Sequence, residues 1–286
     1  MSDAIQRLPY QHSSGQASPV EVTLLSNLRI RDLDHVPNDP QRLTFHLLQF
    51  VLEGEGAHWI DFERVPLRSG DVLHIRPEQV HSFDADASHE ALMILFTPEV
   101  SQLALVPSRW NATPAFHPAT TDFEFLTDVL RLIQRLDAEP GALRPESIGP
   151  RLLGAVLAGL TDAVAAQHGP IDPIAQRYEA LVQDFEVHLD AHHTTSRSPS
   201  WYAAALGTTS RTLARACRQS RGRSPKQIVD ARVVLEAKRR LATTDDTVES
   251  VSYALGFSEP TNFVKYFRRI GGTTPEAFRR SQPGVA

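Results

Sequence analysis

The sequence predicts an α+β multidomain chain: an N-terminal β-barrel, a helical segment, and a C-terminal all-α domain with two helix-turn-helix units. Three observations carry this prediction. Short β-rich runs at close spacing fill the N-terminal third, apolar stripes of helical period follow, and one residue pattern near the C-terminus is written twice, offset by 49 to 50 positions. At 286 residues the chain suggests two domains, and a hydrophobic content of 41% suits packed, soluble ones.

Residues 1–19 are polar, read as a flexible tail, and lack an apolar secretory core. From 20 to 105 a β domain is expected. Its runs are 43–53, 56–65, 71–76, 80–84 and 91–96, broken by Gly54, Gly56, Gly70 and Pro77 as in a sandwich or barrel. From 106 to 168 a helical segment is expected. Leu126, Val129, Leu130, Ile133 and Leu136 form one apolar stripe, and Leu153, Val156, Leu157, Leu160 and Val164 form another. No stretch approaches the roughly 18 apolar residues of a membrane span. A linker falls near 167–173, where Gly169-Pro170 interrupts the pattern, and a second break, rich in Ser and Thr, falls at 194–199.

The remaining residues, 169–286, hold the repeat, with helix-turn-helix units at about 199–222 and 247–272. Ala205-Leu206-Gly207 precedes Leu213-Ala214-Arg215-Ala216-Cys217-Arg218 and then Gly222-Arg223-Ser224-Pro225. Ala254-Leu255-Gly256 precedes Phe263-Val264-Lys265-Tyr266-Phe267-Arg268 and then Gly272-Thr273-Thr274-Pro275. Each copy needs a helix to stop, turn sharply and restart, which calls for a residue at positive φ and then a side-chain oxygen on the new N-terminus. Gly207 and Gly256 supply the turn, with Thr208 or Thr209 and Ser258 as candidate caps. Leu213, Ala216 and Cys217 in one second helix, and Phe263, Tyr266 and Phe267 in the other, fall on one apolar face; the opposite face is polar and basic. Gly222 and Gly272 then suit helix C-termini, and Ser224-Pro225 and Thr274-Pro275 suit helix starts.

The net charge of −5 argues against a nucleic-acid partner until it is divided. Residues 1–170 hold 12 Lys and Arg against 22 Asp and Glu, residues 171–286 hold 17 against 12, and from 199 onward the count is 15 against 7. A basic module on an acidic carrier suits double-stranded DNA. Any one of these arginines, taken alone, also reads as part of a solvated helix face.

Residues 171–281 resemble the AraC/XylS family of bacterial transcription regulators, most specifically through Ala254-Leu255-Gly256-Phe257-Ser258, Asn262-Phe263, Phe267-Arg268-Arg269, Gly272-Thr273-Thr274-Pro275 and Phe278-Arg279. The resemblance implies two units bridged by a helix, here about 225–241 and roughly 25 Å long, each placing its second helix in the major groove. The N-terminal residues of such helices reach furthest into the groove. They are Ser210, Arg211, Ala214 and Arg215 in the first copy, and Pro260, Thr261, Asn262, Val264 and Lys265 in the second. Arg211 and Arg215 suit guanine, Asn262 suits adenine, and Thr261 or Val264 suits a thymine methyl. Arg218, Lys226, Arg268 and Arg279 lie nearer helix ends and are expected on phosphates.

Residues 20–105 resemble the cupin domain that many such regulators carry as a sensor. The match rests on Phe50 to Gly56, Gly70-Asp71-Val72-Leu73, and His81 ten positions after Asp71. Metal-dependent cupins use two His and a Glu from a first motif and a His from a second. Here the first motif keeps only His46, Leu48 stands where its second His would be, no Glu stands at the ligand position, and Arg76 and Glu78 replace the Pro and Gly before His81. No catalytic residue, metal or cofactor is therefore expected. His46 and His81 are expected to be structural or to touch a small-molecule effector. The resemblance further implies a homodimer formed through the helical segment.

The alternative class is a metal-dependent cupin enzyme with an attached DNA-binding module. A DNA-repair alkyl acceptor would need an accessible thiolate. The single cysteine, Cys217, sits where Phe267 packs in the second copy, so it is expected to be buried, and one cysteine forms no internal disulfide. A cytoplasmic protein is the expectation.

Overall fold

The computed structural model describes residues 6–13, 15, 17–31, 40–84, 88–101, 115–139, 143–167 and 172–282. The chain divides into two units at Gly169/Pro170.

The first unit is a curled sheet, a half-barrel. Its strands are β1 (Gln6–Leu8), β2 (Val20–Leu24), β3 (Gln41–Leu43), β4 (His46–Ile60), β5 (Glu63–Arg68), β6 (Val72–Ile75), β7 (Val80–Phe83), β8 (Ser88–Phe96) and β9 (Ala115–Phe116). Short helices α1 (Leu25–Arg31) and α2 (Pro98–Ser101) follow β2 and β8. The organising element is β4. Its first half pairs with β6 and β8 and its second half with β5 and β7, all antiparallel, so the sheet must curl along it.

The glycines at 54 and 56 do not break this strand as expected. The register slips between Val51 and Glu53, and Gly54 at φ +82° lies so close to β8 that a Cβ there would be 2.3 Å from the Ser88 carbonyl oxygen. A bulge with glycine bends the strand while keeping it paired. The reversal comes instead at Asp61-Phe62, inside the expected run 56–65. Both residues have positive φ, 50° and 72°, and they join Ile60 to its partner Glu63 as a two-residue hairpin loop.

The N-terminal residues differ from a flexible tail. β1 lies parallel to β3, and Tyr10 packs edge-on against Phe45 with ring centroids 5.7 Å apart. Residues 1–5 lie outside the described residues, as do 106–114, 140–142 and 168 of the expected helical segment and Gly169-Pro170 of the expected linker.

Helices α3 (Thr120–Ala138) and α4 (Pro145–Gln167) cover one face of the sheet. Leu126, Leu130 and Ile133 of α3 and Leu153, Val156, Leu157, Leu160 and Val164 of α4 join Val20, Leu48, Phe50, Ile94 and Phe96 in one core. Each such buried aliphatic side chain contributes about 1.5–3 kcal/mol. By length and composition alone α4 could cross a bilayer, but this stripe is committed to the sheet. The opposite face of the sheet carries a second core of Leu43, Phe45, Leu47, Val51, Leu73, Ile75 and Met93.

The second unit is helical throughout its described part: α5 (Pro173–His192), α6 (Pro199–Ala205), α7 (Ser210–Arg221), α8 (Pro225–Thr243), α9 (Val248–Ala254), α10 (Pro260–Gly271) and α11 (Pro275–Arg280). The pairs α6/α7 and α9/α10 are the two helix-turn-helix copies. Gly207 and Gly256 make the turns at φ +62° and +74°, and Gly222 and Gly272 close α7 and α10 in the left-handed region. Ser224 and Gln227 form a reciprocal capping box at the start of α8, and Thr274 caps α11. Thr209, not Thr208, caps α7 by accepting from the Thr212 amide at 3.1 Å. The second copy departs from expectation: Glu259, not Ser258, occupies the cap position of α10, and its side chain makes no cap bond.

Candidate nucleic-acid interface

Both second helices sort their residues by face. In α7, Leu213, Ala216 and Cys217 are buried; in α10, Phe263 and Phe267 are. Burial pushes the Cys217 thiol up to about 12, with the nearby Glu186 adding to the effect, so it stays protonated and inert. Tyr266 is only half-buried. Its hydroxyl donates to Asp230 of α8 at 2.5 Å, and burial together with that carboxylate raises its pKa strongly.

On the other face of α7, Ser210, Arg211, Arg215 and Arg218 are exposed and Ala214 is half-buried. On α10, Thr261, Asn262, Lys265 and Arg268 are exposed, and Pro260 and Val264 are half-buried. Arg269, part of the Phe267-Arg268-Arg269 motif but given no DNA contact from the sequence, joins them with its side chain 62% exposed, and its guanidinium lies 5.5 Å from the Tyr266 ring centroid. Each helix thus carries a row of long cations along the side that its apolar stripe leaves free.

Two expected phosphate contacts sit differently. Lys226 is ion-paired with Asp230 in the next turn of α8, with its side chain still 48% exposed. Arg279 turns inward: its guanidinium donates to the carbonyls of Leu241, at 3.1 Å, and Asp246. It ties α11 to the end of α8, a backbone-fastening role in place of the expected phosphate contact. Sequence position alone could not separate it from Arg268, because both follow an apolar residue near a helix end.

The frame beneath α7 is held by charge. Arg221 at its C-terminal end is mostly buried and reaches Glu179 at 2.8 Å and both oxygens of Glu186 at 2.8 and 3.1 Å, all on α5. Burial alone would raise the Glu179 pKa, but the hydrogen bond and charge of Arg221 outweigh it and hold the carboxyl below 4.5.

In the half-barrel, His46 and His81 lie on opposite faces of the sheet. His46 is on the face that packs against α3 and α4, with Nδ1 3.0 Å from Nε2 of His74 and its ring stacked on Phe96. His81 is on the inner face, with Nδ1 2.9 Å from Nε2 of the fully buried His58. Burial pushes His46 and His81 down to about 4, with Arg76 adding to the effect at His46, and drives His58 and His74 well below 6.5. Both pairs are neutral at pH 7. Neither His46 nor His81 lines the open cleft of about 700 Å³ whose walls include Arg64, Leu67, Arg68, Asp71, Phe116 and His117. Among the described residues no group of three His, Cys, Asp or Glu is arranged to hold a metal ion.

Comparison with known proteins agrees with this division. A family model described as a helix-turn-helix domain matches residues 202–281, and one described as an AraC-like ligand binding domain matches residues 31–153. The HTH-type transcriptional activator RhaS of Escherichia fergusonii is 22% identical, over 83% of this chain and 86% of its own length. RhaS of Pectobacterium carotovorum is 35% identical over 24% of this chain and 25% of its own. Among solved structures, ToxT from Vibrio cholerae aligns over 93% of this chain and 98% of its own, with 10% identity and a TM-score of 0.45. With an AraC-like ligand-binding module matched to the half-barrel and a helix-turn-helix module matched to the basic helices, the chain carries both modules of an AraC-type transcriptional regulator, a DNA-binding protein under effector control.

Proposed function

We propose that this chain binds promoter DNA as a homodimer, with α7 and α10 in successive major-groove segments. The observation that carries the reading is the paired, solvent-facing row of cations and polar groups on two helices whose opposite faces are buried. Ser210, Arg211, Ala214 and Arg215, with Pro260, Thr261, Asn262, Val264 and Lys265, face the bases. Arg218, Lys226, Arg268 and Arg269 face phosphates. At 19 residues α8 is about 28 Å long, a scale that suits neighbouring grooves about 34 Å apart.

Dimer formation is supported by what the core leaves over on α3. Leu126, Leu130 and Ile133 are spent on the sheet, but Phe125 and Leu132 remain 67% and 41% exposed. With half-buried Val129 and Leu136 they make a seam of alternating four- and three-residue steps, the spacing of a two-helix contact. A small polar or anionic effector fits the cleft beside Arg64, Arg68 and His117. The protein works in the cytoplasm, where its promoter lies, and carries out no catalysis; the His pairs, already bonded to each other, are structural.

The test begins with selection of duplexes from a random pool by the full-length protein, followed by footprinting. The enriched site should hold two copies of one element, each protected in two groove segments. Arg215→Ala should weaken binding to that site by about 1–3 kcal/mol and relax selection at one base pair. An enriched pool with no shared element, or full affinity in the Arg215 variant with selectivity unchanged, would overturn the reading.

A further inference from the structure

We propose that Arg197 is a positioning residue that locks the spacing between the two reading helices; this rests on the DNA-binding reading above. The helix α8 joins the two helix-turn-helix copies and is held to the second by Tyr266 on Asp230 and Arg279 on the Leu241 carbonyl, but it is not itself a direct tie from one copy to the other. A further tie is built from the segment between α5 and α6. That segment is fastened to the first copy: the Tyr202 hydroxyl donates to the Ser196 carbonyl at 2.9 Å, and the Tyr202 ring is fully buried against Phe185. From the same segment two groups reach the turn of the second copy.

The first is the Thr194 carbonyl, packed so tightly on Gly256 that a Cβ there would stand 2.0 Å from its oxygen. The second is Arg197. Its Nη2 donates to the Gly256 carbonyl at 2.9 Å, and its guanidinium lies over the Phe257 ring, 3.7 Å from the centroid. Phe257 is itself buried edge-on against Phe263 and Tyr266 of α10, both at 5.3 Å, and Tyr266 is bonded to Asp230 of α8. The contacts therefore close a ring from the first copy through Arg197 to the second copy and back through α8. Gly256 serves twice, supplying the positive φ of the turn and the bare surface on which the strut lands.

A closed ring fixes both the distance and the rotation between α7 and α10. One base pair inserted between their target segments shifts a groove by about 3.4 Å and turns it by about 34°. A locked pair of helices resists that displacement; a pair coupled through α8 alone has one fewer tie to break in following it.

The experiment uses the full-length protein and the duplex selected above, with and without one base pair inserted between the two protected segments of an element. The wild type should lose about 30-fold in affinity on insertion, the scale of a badly placed base contact. Arg197→Ala should bind the uninserted duplex within about tenfold of wild type yet lose less than about fivefold on insertion. Gly256→Ala should behave in the same direction, and Arg197→Lys, which keeps the cation over Phe257, should recover part of the discrimination. Thermal melting of each variant separates a moved strut from an unfolded chain. An insertion penalty in Arg197→Ala equal to that of the wild type, with melting unchanged, would overturn the proposal, as would an equal loss on both duplexes. Failure of the wild type to bind any selected duplex would instead sink the DNA-binding reading itself.

Discussion

In the half-barrel the buried polar groups include neutral imidazoles held in pairs, His46 with His74 and His58 with His81, whereas beneath α7 the buried polar group is a guanidinium clasped by two carboxylates. Both arrangements hold buried polar groups against protonation, but over different pH ranges. In each neutral imidazole pair one ring's N–H donates to the other ring's bare nitrogen, and a further proton would create an imidazolium that burial keeps from solvation. A carboxylate held by arginine resists taking one up. The two units should therefore separate along the pH axis.

The largest expected effect follows from that separation. His81 titrates at about 4 in the folded chain against 6.5 in the unfolded one, because burial penalises the cation more than Asp61 favours it. Between those values the unfolded chain binds the proton and the folded chain does not, so stability falls as pH drops from 6.5 toward 4 and is unaffected above 6.5. For His81 alone the loss at full effect is about 3 kcal/mol, and His46, His58 and His74 act in the same direction. Glu179 contributes in the other window: its pKa is lowered, so its share is intact above 4.5 and is lost only as pH falls through its depressed value. Hydrogen exchange of the full-length chain, resolved by peptide and corrected for the intrinsic pH dependence, should show the β4, β6 and β7 peptides opening between pH 6.5 and 4. Peptides from α7 and from the part of α5 that holds Glu179 and Glu186, away from the buried His193 at the α5 C-terminus whose pKa is also lowered, should stay protected there. Sheet peptides that remain protected to pH 4 would remove the contrast.

A smaller effect sharpens the other side of the comparison. Arg221→Ala leaves Glu179 and Glu186 mostly buried and facing each other, and should cost about 3 kcal/mol, at the lower end for a broken buried pair because the site keeps some exposure. Replacing all three by apolar residues of similar size should recover most of that loss, since the pair offsets its own desolvation rather than adding a large surplus. Chemical denaturation with the α5 and α7 peptides as reporters measures both variants. A triple variant no better than Arg221→Ala would mean the charges contribute more than their desolvation costs.

The helical unit was legible in the sequence because its instructions are local. Turn glycines, caps and an apolar face within a dozen residues specify each copy, and Gly207, Gly222, Gly256 and Gly272 all take the left-handed backbone those positions require. What was not legible there depends on distant partners: Arg279 turning to the Leu241 and Asp246 carbonyls, and Arg197 crossing to Gly256 and Phe257. The half-barrel gave up less. Its long strand β4 passes through Gly54 because β8 lies against it, and its hairpin reverses at Asp61-Phe62, where neither residue is a glycine. The histidine partners, His74 for His46 and His58 for His81, come from strands brought together by register, which one-dimensional spacing does not carry.

The smallest expected effect sets the two copies against each other within the helical unit. Thr209 bonds the Thr212 amide at the start of α7, whereas Glu259 at the start of α10 makes no side-chain cap bond and leaves Pro260 to preset the first turn. Thr209→Ala should therefore cost about 1 kcal/mol, and Glu259→Ala should be close to neutral. Glu259→Ser should gain about 0.5 kcal/mol by supplying the missing acceptor. Thermal melting of the full-length chain measures all three, and equal losses for the two alanine variants would show that the cap bond at Thr209 carries no stability of its own. The asymmetry reaches function through position. Ser210 and Arg211 lie in the first turn that Thr209 holds, so fraying there blurs the placement of Arg211, while the first turn of α10 keeps its shape through proline and presents Thr261 and Asn262 with or without a cap.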